Sequence, residues 1–273
     1  MTAVTIPAPA PSIQHHSDFR WAVADARSVT WRNLIAMTRT PQVLVFSTIQ
    51  PIIFVLMFRY VFGGAIVIRN VPQYVNYLMP GVFAQTVVFG SIQTGVGLSE
   101  DLHKGLIERF RSLPMARSAV LAGRTLADLV RNFFVMWLMV IVGFIVGWRI
   151  NTNVFGLLAG VGVMLLFGYA LTWIFAIVGL NSSSAEAAQA ASFPILAPLV
   201  FASTAFVSAA QMPGPLKWFA EHQPVSITID AVRSLTFGGP FADPGKVVAS
   251  IIWSVAIIAV CAPLAVRSYR KKA

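Results

Sequence analysis

Charge is what this sequence has least of. Only 11% of its 273 residues are Asp, Glu, Lys or Arg, against about a quarter in an ordinary soluble domain. Meanwhile 57% are hydrophobic and the mean hydropathy is +0.74. A chain so composed lacks the polar surface that water requires, and the missing solvent is lipid. Cysteine is nearly absent: Cys261 stands alone within an apolar run. That excludes an intrachain disulfide or a multi-cysteine metal site and leaves a small hydrophobe in a helix. The four histidines, His15, His16, His103 and His222, all fall outside the long apolar runs, so an intramembrane Ser–His pair has no histidine at depth. Neither H-E-x-x-H nor the phosphate-cradling G-x-x-x-x-G-K-[ST] occurs, which removes the recognisable metalloprotease and nucleotide sites. Acidic residues inside the runs reduce to Asp128, too few for a proton relay, and a potassium-type filter sequence is absent. No catalytic residue, metal or cofactor is expected on this chain.

What the sequence has is apolar length. About twenty apolar residues span a bilayer as a helix, and six runs qualify: 42–62, 77–97, 126–147, 154–180, 187–207 and 247–266. They are continuously apolar, whereas barrel strands would alternate, so the fold class is an all-α polytopic membrane protein with six spans. The net charge of +10 does not indicate nucleic acid, because the basic residues sit at the ends of the runs instead of on one soluble face. Arg20, Arg27, Arg32 and Arg39 precede the first run, and Lys104, Arg109, Arg111, Arg117 and Arg124 lie between the second and third. A basic tail, 267–273, follows the sixth. The opposite loops are poorer in Lys and Arg, so the positive-inside bias puts both termini in the cytosol, and an even number of spans demands that they share a side. Residues 1–18, proline-rich and without an apolar h-region, read as a mobile cytosolic tail and not a signal peptide.

Four segments outside or between the runs carry the remaining information. Residues 19–41 mix Trp21 and Trp31 with Arg27 and Arg32 and stop at Pro41. This pattern predicts an amphipathic helix at the cytosolic interface, with arginines reaching phosphates of membrane lipid. The loop 98–117 holds Glu100, Asp101, Lys104, Glu108, Arg109 and Arg111 around Leu102, Leu106, Ile107 and Phe110, and Pro114 ends it. That apolar spacing makes one stripe of a short helix suited to a groove on a soluble partner; a solvated loop supplying positive-inside charge is the alternative. Asp128 and Arg131 stand at i, i+3 and are expected to pair at the cytosolic edge. Residues 208–239 are too apolar for a free loop; Pro224 opens a second helical turn and Gly238–Gly239 close it. Two short re-entrant helices are expected there, covered by protein, with Asp230 and Arg233 paired. Within the runs, Gln50, Gln85, Gln93, Tyr169 and Thr172 suit either contact with a hydrophobic or amphipathic cargo or helix–helix hydrogen bonding.

These residues resemble the ABC type-2 export permease family, in its daunorubicin-resistance-type branch, over nearly the whole chain. Trp31-Arg32-Asn33 and Arg39-Thr40-Pro41 look like its interface helix, and Gln50-Pro51 like its recurrent Gln-Pro in the first span. Glu100–Pro114, with Gly105, Glu108, Arg109 and Leu113-Pro114, resembles its coupling loop. Gln223-Pro224-Val225-Ser226, then Asp230, Arg233 and Gly238-Gly239-Pro240, resembles the motif before its last span. His222-Gln223 stands where the family often has Asn before the proline. The resemblance implies a permease in the cytoplasmic membrane, paired with a second permease chain, identical or a sister. It also implies a separate nucleotide-binding ATPase that binds the ATP and Mg and drives export of a lipophilic drug or natural product. A lipid, glycolipid or polysaccharide precursor is the alternative cargo. Outside the family, a non-transporting scaffold or sensor is the alternative function.

Overall fold

The computed structural model describes residues 19–38, 41–63, 73–104 and 117–272, and the side chains of 24–35, 48–63, 73–104 and 121–271. The tail 1–18, Arg39, Thr40, Gly105, Glu108, Arg109, Phe110, Arg111, Pro114 and the Trp21 side chain lie outside the described residues. In chain order the helices are α1 (Phe19–Thr38), α2 (Pro41–Leu56, continued as π-helix over Met57–Phe62), α3 (Tyr74–His103), α4 (Arg117–Val146) and α5 (Val154–Asn181). After these come α6 (Ala185–Phe201), α7 (Gly214–His222), α8 (Pro224–Thr236) and α9 (Pro244–Lys272). Among the described residues no strand occurs. Among the described residues four helices, α3, α4, α5 and α9, are long and apolar enough to cross a membrane, and two shorter apolar helices cover Thr48–Phe62 and Ala185–Phe201.

Local chemistry sets the ends. Asn153 caps α5, its side chain accepting from the Gly156 N–H at 2.8 Å, and Ser184 caps α6 through the Ala187 N–H at 3.1 Å; each satisfies a donor the first turn leaves free. Gly147, at φ +101°, ends α4 in a conformation that glycine adopts without strain. Pro224 occupies the first turn of α8, where its missing N–H costs nothing.

Helix α3 is the axis of the bundle. In its most apolar window 89% of residues are buried, against 11% for α9, so α9 presents most of its surface outward. α3 packs on α4, α5 and α6, and α5 in turn on α8 and α9. Small residues permit this: a Cβ on Gly95 would lie 2.4 Å from the Phe175 carbonyl oxygen, and one on Gly179 would lie 2.1 Å from that of Gly95. The α3–α5 crossing is therefore a backbone-to-backbone contact. Phe83, Met136, Met139, Met164, Phe167 and Phe175 fill the core around it.

Two boundaries differ from the hydropathy reading. Helices α3 and α4 each have 30 residues, about 45 Å at the α-helical rise, against a hydrocarbon core of about 30 Å. Their excess runs on the side of the loop that joins them. Glu100 and Asp101 thus sit on the last turns of α3, where their charges had ended the apolar window. Conversely, the run 187–207 is helical only to Phe201, and residues 202–208 leave the helix.

Candidate functional site

On the loop side, α3 and α4 are joined by charges of alternating sign. Arg124 Nη1 donates to Asp101 Oδ2 at 3.0 Å, and Arg124 Nε lies 3.8 Å from Asp128 Oδ2. Thr94 Oγ1 donates to that same oxygen at 2.6 Å. Arg131 Nη1 stands 3.3 Å from Asp128 Oδ1, and its Nη2 donates to the Gly90 carbonyl. Asp128 and Arg131 are buried, at 0% and 6% exposure. A charge in that setting is tolerable only when paired, and the ladder Asp101–Arg124–Asp128–Arg131 sums to zero. Gly97 admits the Arg124 guanidinium; a Cβ there would collide with it.

Beneath the ladder, α2, α3, α4 and α6 enclose a cavity of about 300 Å³. Gln50, Gln85, Gln93, Arg131, Asn132 and Gln189 contribute its polar lining, with Phe89 and Phe193 among the apolar. Gln85 and Asn132 are 2% and 5% exposed. Gln85 lies about 16 Å along α3 from its first residue and about 27 Å from its last, well inside the span.

On the other side of the membrane, the broken end of α6 is held by side chains. Gln223 Nε2 donates to the Leu199 carbonyl at 2.9 Å and to that of Ala202 at 3.3 Å. Arg233 Nη2 donates to the Thr204 carbonyl at 2.7 Å and to that of Tyr77 at 3.0 Å. Arg233 Nη1 pairs with Asp230 Oδ1 at 2.9 Å. Tyr74 donates its hydroxyl to the Phe206 carbonyl at 2.8 Å, and the Thr204 N–H donates to Ser226 Oγ at 3.1 Å. Non-helical backbone at membrane depth needs its carbonyls satisfied from within the protein, and Tyr74 on α3, Arg233 on α8 and Gln223 just before α8 supply the donors.

The ABC-2 type transporter family model matches residues 25–237, from within α1, through the α3–α4 pair, to the end of the α8 clamp. The chain belongs to that family. It is 36% identical over 252 residues, 92% of this chain and 88% of the relative, to the daunorubicin resistance ABC transporter permease protein DrrB1 of Streptomyces coeruleorubidus. It is 26% identical over 253 residues, 92% of this chain and 90% of the relative, to the probable doxorubicin resistance ABC transporter permease protein DrrC of Mycobacterium tuberculosis. A putative transport permease, ycf38, of Cyanophora paradoxa is 24% identical over 207 residues, 75% of this chain and 71% of the relative. The chain is thus a multi-pass membrane permease, and the family implies a partner ATPase subunit.

In this ABC-2 permease the expected site residues fall in different places. Gln50, Gln85 and Gln93 meet at one cavity. Thr172 instead is fully buried in α5 and donates to its own helix at the Tyr169 carbonyl, 2.6 Å away. Tyr169 lines an apolar groove between α4 and α5. On α1, Arg27 and Trp31 are exposed, whereas Ala26, Val29 and Asn33 are buried. Thr30 Oγ1 lies 2.7 Å from the Ala26 carbonyl of its own helix and 3.1 Å from that of Gly123, and a Cβ on Gly123 would lie 2.6 Å from Val29 Cβ, so α1 packs closely on the start of α4. Arg32 donates to the Asn33 side-chain oxygen at 3.0 Å. Glu100 and Lys104 form an exposed i, i+4 pair at 3.4 Å. Asp128 and Arg131 pair as expected, and so do Asp230 and Arg233. His222 departs from its neighbours: it is exposed and stacks on Trp218, with ring centroids 5.0 Å apart.

Sequence reasoning missed Thr94, Asn132, Gln189, Tyr74, Tyr77 and Thr204. One signal was available for Asn132: Asp128, Arg131, Asn132 and Val135 recur at i, i+3, i+4 and i+7, a single helical face. The others are long-range partners with no local signature.

Proposed function

We propose that this chain is the transmembrane permease subunit of an ATP-driven ABC exporter that moves a lipophilic drug or natural product out of the cell. It sits in the cytoplasmic membrane with six spans and both termini in the cytosol, as the arginine and lysine distribution requires, in contact with lipid and with a second permease chain, identical or a sister. ATP and Mg are bound by a separate ATPase, which engages the loop 98–117 through Glu100, Asp101, Lys104, Gly105, Glu108, Arg109, Phe110, Arg111 and Pro114. This permease carries no catalytic residue.

The observation that carries the reading is the charge ladder. The loop enters from α3 and leaves by α4, and Asp101–Arg124, Thr94–Asp128 and the Arg131 bond to the Gly90 carbonyl tie those two helices together. A push on the loop therefore moves the α3–α4 pair as one body, with α1 packed on the start of α4. The cavity lies between that body and the helices α2 and α6, so relative motion changes its walls. That these three line one cavity supports the reading in which Gln50, Gln85 and Gln93 face the translocation path. The drug-resistance relatives favour the lipophilic cargo class.

The test is a mild-detergent pull-down of the tagged chain from its native host, followed by an ATP hydrolysis assay on the assembly. Recovery of a P-loop ATPase, lost on reversing the charges of Glu108 and Arg109, supports the reading. An intact chain recovered without an ATPase across several detergents points instead to a scaffold or a gradient-driven carrier.

A further inference from the structure

The last turns of α9 carry a positive charge that no described acid answers. Arg267, Arg270 and Lys271 are exposed, and among the described residues none of the three joins an ion pair. Residues 244–273 contain no Asp or Glu at all. The end of α3, which packs on this part of α9 through Leu98 and Leu102, has two acids, and both are engaged elsewhere: Glu100 by Lys104 and Asp101 by Arg124.

The three cations recur at i, i+3 and i+4, which places them on one face of the helix. Ala265 and Tyr269 are buried on the opposite face, in a cluster with Leu98, Trp173 and Leu180. The basic face is therefore the one turned away from the bundle. Followed toward the middle of the span, it becomes apolar. Leu264 and Val260 stand three and seven residues before Arg267, on the same face, and both are exposed. Val260 lies about 10 Å from Arg267 along the axis, within the depth of one leaflet of a hydrocarbon core about 30 Å thick. Long basic side chains in this position extend toward the headgroups while their stems stay on apolar surface.

We propose that this stripe of α9 is a binding site for an anionic phospholipid. An acyl chain lies along Val260 and Leu264, and the phosphate is held by Arg267, Arg270 and Lys271. A zwitterionic lipid brings its own cation to its phosphate and gains less from the three. An acidic protein surface could meet the cations, but it would leave Val260 and Leu264, at hydrocarbon depth, without a partner. That the lipid belongs to the cytosolic leaflet rests on the topology proposed above. The site itself needs only that α9 crosses the membrane, and neither the cargo nor the ATPase of the export reading.

The experiment places the full chain in nanodiscs of phosphatidylcholine with a minor fraction of phosphatidylglycerol. A bimane reporter is attached through Ala256→Cys on a Cys261→Ser background; Ala256 is exposed one turn deeper than Val260 on the same face. Bromine, a short-range quencher, is carried on the acyl chains of one lipid and then of the other. Expected is quenching by phosphatidylglycerol well above its mole fraction. The preference should fall by up to about fivefold for each of Arg267→Gln, Arg270→Gln and Lys271→Gln, and the triple replacement should return it to mole fraction. All three side chains are exposed, so the variants keep the packing of α9, and gel filtration checks that each stays monodisperse. Quenching that follows mole fraction in the parent, or a preference that survives the triple replacement, overturns the proposal. A triple variant that loses the ATPase in the pull-down, with no lipid preference in the parent, gives the face to an acidic protein surface and overturns it too. A chain that prefers phosphatidylglycerol yet recruits no ATPase keeps the lipid site and loses the export reading.

Discussion

The Arg233 guanidinium carbon lies 3.5 Å from the centroid of the Tyr77 ring, and the same side chain donates from Nε and Nη2 to the Tyr77 backbone carbonyl at 3.2 and 3.0 Å. One arginine thus holds a ring, a carbonyl of α3, a carbonyl beyond the end of α6 and the Asp230 carboxylate on its own helix. Only a planar fork of donors does this, which makes Arg233 the pin of the clamp beyond the end of α6.

Arg233→Lys keeps the charge and loses the fork. Breaking a buried, hydrogen-bonded pair costs roughly 3 kcal/mol, so a marked fall in melting temperature of the detergent-purified chain is expected, with Asp230→Asn, at a half-exposed carboxylate, falling less. Fluorescence-detected thermal unfolding measures both. Equal melting of Arg233→Lys and the parent contradicts the clamp.

The ladder makes a pairwise prediction. Asp101→Arg alone and Arg124→Asp alone each place like charges together and should lower the ATP hydrolysis recovered with the assembled complex. The double exchange restores the pair at the same place and should recover most of it. A double-mutant cycle on that rate reads the coupling; two single losses that merely add show that the contact does not transmit.

Glycine at the α3–α5 crossing is irreplaceable, but Gly162, also on α5, is not. Gly95→Ala and Gly179→Ala drive a methyl into backbone and should cost about 2 kcal/mol or more through overpacking. A Cβ at Gly162 meets nothing within 4 Å, so Gly162→Ala should be neutral or raise stability by up to about 1 kcal/mol. The melting temperatures of the three variants, compared side by side, check this.

Much of the architecture was legible because hydropathy and turn chemistry are local. Pro224 and Gly238–Gly239 mark the ends of the α8 segment by themselves, and Asp128–Arg131 and Asp230–Arg233 announce their pairing through i, i+3 spacing. What stayed hidden was tertiary. Asp101 reads as a loop acid until Arg124, 23 residues on, is seen to neutralise it, which is why α3 extends past its apolar window. Phe206 and its neighbours read as the end of a span, because apolar composition does not reveal that donors from Tyr74, Gln223 and Arg233 replace the helix hydrogen bonds there. Gln85 and Gln93 were legible as polar residues at depth. Their meeting with Asn132 was not, since Asn132 reaches the same cavity from α4 and no local pattern announces that contact.

Topology can be tested from the single native cysteine. On a Cys261→Ser background, Lys217→Cys should react with a membrane-impermeant maleimide in intact cells, and Arg270→Cys only after the membrane is opened. Labelling of Arg270→Cys in intact cells contradicts cytosolic termini.

The most direct measurement of the central claim is efflux of a fluorescent lipophilic drug from cells carrying this chain and its ATPase partner, under two lesions. The account predicts that inactivating the ATPase's P-loop lysine abolishes efflux, and that dissipating the proton gradient with an ionophore while ATP is held constant leaves it intact. Efflux that survives the ATPase lesion and collapses with the gradient contradicts the account and makes the chain a gradient-driven carrier.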